Sequence, residues 1–280
     1  MKQIPVSAAI ARQSRSNFYS SFLFLPIKQR RAMTVLYALS RLIDDSVDEE
    51  RDRTRAKEEI AQWRERVRNI YQGKNHFAHP ILAEVKEVVS EFGLREKYLL
   101  DLITGMELDL EKKEYQNFHE LEKYCYYAAG TIGLLCNQIF GFHDSRAERY
   151  AILLGTAFQL TNIIRDVGID AEKGRIYLPQ EDLREFHYSK QDLLAKKMGN
   201  NFQNLMEFQA KRAVDYFERA KECLSPQERR RLVAAHVMSQ VYFRLLQRIR
   251  QQKFPVFEKK VSVPKWELLK ILASTKLRYR

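Results

Sequence analysis

The sequence predicts an all-α chain folded as one helical bundle. Three observations carry this. Glycine and proline are few, 10 and 7 in 280 residues. Runs of β-branched residues are scarce, which disfavours strands. Apolar residues recur at three- and four-residue spacing through most of the chain. Hydrophobic residues make up 45%, enough for a large buried core. No internal repeat, low-complexity linker or composition shift marks a boundary, so 1–280 is read as a single domain.

Residues 1–17 are mixed and polar, and the aromatic segment NFYSSFLFLP follows, ended by Pro26. A helix is predicted over 27–48, where Met33, Leu36, Tyr37 and Ser40 share one face. Basic residues in its first turn and acids at its last both oppose the helix dipole. Something cationic should compensate at the acidic end. An amphipathic helix over 54–72 is closed by Gly73, and GKNHFAHP is a loop. Further helices are predicted over 80–92, 94–114 and 118–140, with Gly93 and Gly141 as breaks. The next runs over 146–170. A loop containing Gly174 reaches Pro179, and short helices follow over 180–185 and 189–197. Residues 202–223 are helical. Ser225-Pro226-Gln227-Glu228 reads as an N-cap, a proline at N1 and a capping-box glutamate, opening a helix to about 251. A last helix is predicted over 266–276.

The stretch QLTNIIRDVGIDAEKGRIYLP, 159–179, organises the functional reading. Asn162, Asp166 and Asp170 are each four residues apart. On a helix that spacing puts side chains about 5–6 Å apart on one face. An amide and two carboxylates therefore stack into a polar column among Leu160, Ile163, Ile164 and Val167. Burying such a column is costly unless it is paired or bound to a cation. Asp44 and Asp48, in RLIDDSVDEE, form a second column with the same spacing. Oxygen donors without His or Cys suit a hard cation, and Mg²⁺ typically binds through one or two carboxylates plus substrate phosphates. Two facing columns would hold Mg²⁺ and a diphosphate between them. For one such column alone, a solvated acidic helix end is the commoner explanation.

Arg41 lies three residues before Asp44, Arg165 immediately precedes Asp166, and Arg175 follows the second column. Guanidinium groups suit bidentate diphosphate contacts; surface ion pairing with the nearby acids explains them equally well. Phe18, Phe22, Tyr37, Tyr124, Tyr177 and Tyr242 are candidates to line an apolar cavity, although aromatics at helical spacing are usually core. Ala128-Ala129-Gly130-Thr131-Ile132-Gly133 implies either close helix approach or space for a ligand.

The formal net charge of +12 admits a nucleic acid, an anionic membrane surface or an anionic small substrate as partner. No basic run alternates with aromatics as a nucleic-acid groove requires. Cys125, Cys136 and Cys223 show no metal-ligand spacing and read as reduced thiols of a cytoplasmic protein. The N-terminus lacks the apolar region of a signal peptide, and the most apolar window, 150–164, is too short and polar to span a bilayer. No P-loop, GxGxxG, GxSxG or HExxH occurs. The six histidines are scattered.

These residues resemble the squalene/phytoene synthase family of head-to-head prenyl transferases. The resemblance rests on Asp44-Asp45-Ser46-Val47-Asp48, on 162–170 with Gln159, on Gly174-Arg175-Ile176-Tyr177-Leu178-Pro179, and on Tyr124-Cys125-Tyr126 with 129–133. It spans most of 14–250. One departure is Ile169, where the family's second motif often has Glu. The segment 17–49 is most similar to bacterial presqualene diphosphate synthases of the hopanoid route; the end of the second motif is equally similar to phytoene synthases.

The resemblance implies the isoprenoid synthase fold, a single all-α domain around a central apolar cavity with both acidic motifs at its mouth. It implies an enzyme that condenses two farnesyl diphosphates into presqualene diphosphate. Asp44, Asp48, Asn162, Asp166 and Asp170 would coordinate two or three Mg²⁺ ions. Arg41 and Arg165 would meet diphosphate. Phe18, Phe22, Tyr37, Tyr124, Ala129 and Gly133 would lie near the chain-binding cavity. Gln159, Tyr177 and Tyr242 would contact diphosphate or the reacting carbons, and Lys259 or Lys260 would reach in from the C-terminal loop. Ala157 and Phe158 join Ala129 and Gly133 as residues that set substrate length. NADPH is not expected to be needed. A downstream enzyme converting presqualene diphosphate, and peripheral contact with the inner membrane face, are the expected partners. Phytoene, squalene and dehydrosqualene synthesis are the alternatives within the family. The alternative outside it is a basic helical protein that binds a membrane or a nucleic acid and has no need of paired columns.

Overall fold

A computed structural model describes residues 5–13, 22, 25–48, 52–74 and 77–278. Most of these residues are helical, and no strand occurs among them beyond an isolated parallel bridge between Glu114 and Ile176. None of their helices is long and apolar enough to cross a membrane.

The bundle is arranged around one helix, α8 (Ser145–Glu172). Asp144 caps it, accepting hydrogen bonds from the backbone of Arg146 and Ala147 at 3.0 Å each. Its buried residues lie on every side, from Ala147 and Tyr150 to Val167 and Ala171. A helix that is apolar all round belongs in a core. Around α8 stand α11 (Asn200–Cys223), α7 (Thr131–Ile139), α6 (Phe118–Cys125) and α13 (Val233–Gln251). A second layer comprises α2 (Ile27–Asp48), α3 (Arg53–Tyr71), α4 (Ile81–Phe92) and α5 (Glu96–Glu111). The helix α1 (Val6–Gln13) rests on α2 and α4, and α14 (Lys265–Arg278) rests on α13. Short helices α9 (Gln180–Glu185), α10 (Lys190–Leu194) and α12 (Pro226–Arg231) complete the chain.

Two stretches differ from the sequence expectation. The helix expected over 118–140 contains a π-turn at Tyr126–Gly130, between α6 and α7. The close approach of α8 accompanies it. A Cβ on Gly155 would stand 2.8 Å from the backbone of Ala129, and one on Gly133 would stand 2.8 Å from the Ala151 carbonyl. The capping box at Ser225 and Glu228 forms as expected, but its helix ends at Arg231. Leu232 leaves the helical region, with ψ at 47°, and its side chain is fully buried. Burial of that leucine interrupts what the sequence reads as one helix.

Candidate active site

A cavity of about 340 Å³ lies between α2, the π-turn with α7, α8 and α13. Helix α2 contributes Met33, Leu36, Tyr37 and Ser40, and α8 contributes Leu154, Phe158, Gln159 and Asn162. Asp44 is one helical turn beyond Ser40, and Asp166 is one turn beyond Asn162. Both acidic columns therefore continue from the walls of the same cavity. Its body is apolar and its mouth is polar.

The structure places Phe22, Tyr37, Tyr242, Ala129, Gly133, Gln159 and Asn162 in the cavity wall. Phe22 meets Tyr37 edge-on, with ring centroids 6.5 Å apart. Tyr242 stacks on Phe158 at 4.4 Å, and Asn162 Nδ2 donates to Gln159 Oε1 at 3.5 Å. The small residues thus do two jobs: they admit α8 against the π-turn, and they leave the wall shallow. Phe18 and the side chain of Asp48 lie outside the described residues.

Tyr124 and Tyr177 do not line this cavity. They form a buried stack with Tyr115 on its flank. Tyr177 lies 5.1 Å from Tyr124 and 5.8 Å from Tyr115, ring centre to ring centre. The Tyr177 hydroxyl donates to Asp109 Oδ1 at 2.7 Å. Burial, reinforced by the Asp109 charge, raises both the Tyr124 and the Tyr177 phenol, so both remain protonated. Gln159 Nε2 reaches the Tyr124 hydroxyl at 3.4 Å and so links the stack to the mouth. The loop bearing Tyr177 is strapped to 113–116: Ile176 N donates to Lys113 O at 2.8 Å and Gln180 N to Tyr115 O at 2.9 Å. Asp109, at the end of α5, was not singled out by sequence. It stands alone between two leucines, and only the strap brings it to Tyr177 and Asp170.

The second column is enclosed and electrostatically strained. Asp170 is pushed up to about 7, first by burial and then by the neighbouring Asp166, with Asp109 adding to the effect and Arg175 opposing it. Asp166 accepts from Arg165 Nε at 2.8 Å, and Lys260 Nζ lies 3.4 Å from it. Of the two lysines considered in the C-terminal loop, Lys260 is therefore the one at the column. That loop lies tight against α8, since a Cβ on Gly168 would stand 2.6 Å from the Val256 carbonyl. At the first column, Arg41 pairs with Asp44 at 3.1 Å and Asp45 at 2.5 Å. Ion pairing is thus what both arginines do here.

Among the described residues, no three His, Cys, Asp or Glu side chains already converge on a metal position. The donors still suit a hard cation. Asn162 Oδ1 is buried and has no hydrogen-bond partner among the described residues. It stands in line with two carboxylates, one of them raised to about 7 by burial and by its neighbouring like charge. A divalent cation would satisfy the amide oxygen and remove that repulsion.

A helical bundle enclosing an apolar cavity, with acidic helix ends at its mouth, is an isoprenoid synthase fold. The squalene/phytoene synthase family model matches residues 11–267, and the chain belongs to that family of prenyltransferases, whose substrates are prenyl diphosphates. A phytoene synthase from Arthrospira platensis is 33% identical, over 97% of this chain and 91% of its own. A 15-cis-phytoene synthase from Synechocystis sp. is 33% identical, over 91% of this chain and 79% of its own. Among solved structures, a dehydrosqualene synthase in complex with ligand superposes with a TM-score of 0.84 at 28% identity, covering 97% of this chain and 94% of that one. Squalene synthase HpnC from Alicyclobacillus acidocaldarius does so with a TM-score of 0.79 at 27% identity, covering 89% and 93%.

Proposed function

We propose that this protein joins two farnesyl diphosphates head to head and releases presqualene diphosphate. The observation that carries this is the shared mouth: Ser40 and Asn162 sit in the wall of one apolar cavity, and each helix meets an aspartate one turn later. Two diphosphates would be held at that mouth with both prenyl chains inside.

Asp44, Asp48, Asn162, Asp166 and Asp170 are the residues that would hold Mg²⁺, which when bound neutralises diphosphate oxygens and eases their departure. Arg41, Arg165 and Lys260 turn from the carboxylates towards diphosphate and stabilise the leaving charge. The C1–O bond of one farnesyl diphosphate breaks, and its electron pair leaves with the diphosphate. The double bond nearest the diphosphate of the second substrate attacks the allylic cation. Loss of one proton closes the cyclopropane. Two farnesyl diphosphates thus give one presqualene diphosphate, one diphosphate and one proton. The rings of Tyr37, Phe158 and Tyr242 face the cavity, where each aromatic face stabilises positive charge by about 0.5–2 kcal/mol. Phe22, Ala129 and Gly133, together with Phe18, shape the chain site, and its apolar wall excludes the water that would quench the cation. Gln159 orients the mouth through Asn162. Tyr124 and Tyr177 support it from the flank as protonated hydrogen-bond donors.

A second reading is favoured by the phytoene synthases at 33% identity: condensation of two geranylgeranyl diphosphates, with onward rearrangement to phytoene. Incubation with each substrate and Mg²⁺, with and without NADPH, followed by mass spectrometry, separates the two. Presqualene diphosphate from farnesyl diphosphate in both tubes supports the proposal. A diphosphate-free hydrocarbon as sole product overturns it.

A further inference from the structure

Tyr150 and Leu154 are one turn apart on α8 and have a cavity on each side. One is the prenyl cavity. The other, about 310 Å³, is walled by Phe217 and Ala220 of α11 and by Ser239 and Phe243 of α13. Both partition residues are buried, at 4% and 5% exposure, so each face of the wall is covered by protein or cavity rather than solvent. The apolar lining is continuous across it: Phe217 lies 6.0 Å from Phe158 on the near side and 5.4 Å from Phe243 on the far side.

We propose that Tyr150, backed by Leu154, is the partition that fixes prenyl chain length, and that its loss opens the second cavity to a longer chain. This rests on the prenyl-transfer reading of the first cavity. Tyr150 is twelve residues from Asn162, which places it about 18 Å along the helix from the mouth. That is the end at which the ω-terminus of a prenyl chain arrives. Truncating a side chain that backs onto packed core releases only its own volume. Truncating the partition joins two preformed spaces. A fourth isoprene unit would then pass between Phe158 and Leu154 and lie against Phe217, Ala220 and Phe243. These are apolar surfaces, so the longer chain gains burial there. The rest of the second cavity's lining is polar, Lys221, Arg229, His236, Ser239 and Gln240, so the longer chain follows the apolar side.

The test compares the wild-type enzyme with Tyr150→Ala, Tyr150→Phe, Leu154→Ala and the double variant Tyr150→Ala/Ser239→Phe. Each receives equimolar farnesyl and geranylgeranyl diphosphates with Mg²⁺, and consumption of each is read by mass spectrometry. Binding of the non-reacting thiodiphosphate analogues of both chains is measured in parallel by calorimetry. Tyr150→Ala should raise the geranylgeranyl-to-farnesyl ratio about tenfold or more in both assays, as burial of at least two extra methylenes implies. Leu154→Ala should raise it less. Tyr150→Phe keeps the ring and should keep the wild-type ratio. Ser239→Phe refills the second cavity and should return the double variant towards wild type. An unchanged ratio in both Tyr150→Ala and Leu154→Ala, with farnesyl turnover intact, overturns the partition alone. So does a wild-type enzyme that already takes both chains equally. Failure of the wild type to bind either analogue overturns the partition and the prenyl-transfer reading together.

Discussion

The two acidic helix ends share a sequence pattern and differ in everything around it. On α2, Asp44 and Asp45 are 39% and 29% exposed and are gripped by Arg41, itself 44% exposed. On α8, Asp166 is 17% exposed, and Arg165 beside it is 19% exposed. The C-terminal loop covers α8 at Gly168, Lys260 reaches Asp166, and the strap at Ile176 presents Asp109 and Tyr177 from the flank. Neither helix has a basic residue in its last turn, so both oppose the dipole rule. The exposed end relieves this with a solvent-screened ion pair. At the enclosed end, burial and the neighbouring Asp166 raise Asp170 to about 7. The difference teaches that i, i+4 acids form a column of fixed geometry only when other elements close over it. The α8 end is the preorganised half of the mouth, and the α2 end is the adjustable half.

The largest effect that would sharpen this comparison comes from Asp166→Ala. Removing a carboxylate that the proposed function assigns to holding Mg²⁺ should lower turnover by about 10²–10³-fold or more, the range for one electrostatic group in such a site. Steady-state product formation checks it. If Asp44→Ala costs as much, enclosure does not distinguish the columns in the chemical step. If Asp166→Ala leaves turnover unaltered, the assignment of the α8 column fails.

A backbone change isolates the enclosure itself. Gly168→Ala places a methyl in the path of the Val256 carbonyl. It should destabilise the fold by about 1–3 kcal/mol, the usual cost of overpacking, and free the loop that carries Lys260. Thermal denaturation and limited proteolysis at 252–264 read the two consequences separately. A variant with wild-type melting and wild-type proteolysis would show that the loop does not need that contact.

The flank is tested by Tyr177→Phe. It removes one hydrogen bond to a half-buried carboxylate and should cost about 1–2 kcal/mol in chemical denaturation. The same variant should alter turnover far less than Asp166→Ala, because Tyr177 acts from behind the column. Equal losses would move Tyr177 from the flank into the chemistry.

The smallest effect on stability is expected from Lys260→Ala, whose partner pair is more than half exposed on the lysine side. Its stability change should stay below about 1 kcal/mol. Its KM for prenyl diphosphate should rise about threefold to tenfold, as a lost charge-assisted contact implies. A KM equal to wild type would leave Lys260 as a counter-ion only.

Much of this was legible residue by residue. The periodicity of 27–48 places α2 to the residue, and Gly73, Gly93 and Gly141 do terminate their helices with positive φ. Ser225 with Glu228 forms the predicted cap. The helix break at Leu232 was not legible, because it follows from where that leucine is buried rather than from any turn residue. The π-turn at 126–130 was visible only as a run of small residues, without the close approach of Gly155 that explains it. In the site, Phe22, Tyr37 and Tyr242 stand in the cavity wall, where spacing alone favoured plain core packing. Tyr124 and Tyr177 look the same in sequence and stand beside it instead. Periodicity gives the face of one helix and cannot give the neighbour that the face meets.

The chain by itself thus determined the helices, the two i, i+4 acidic columns and the oxygen-only chemistry of their side chains. These depend on spacing and functional groups within one or two turns. Only the tertiary structure decided that the columns extend the walls of one cavity, that Asp109 joins the second column, and that Tyr150 separates two cavities. Each of those depends on groups dozens of residues apart brought together by packing around α8, and local sequence carries no term for that distance.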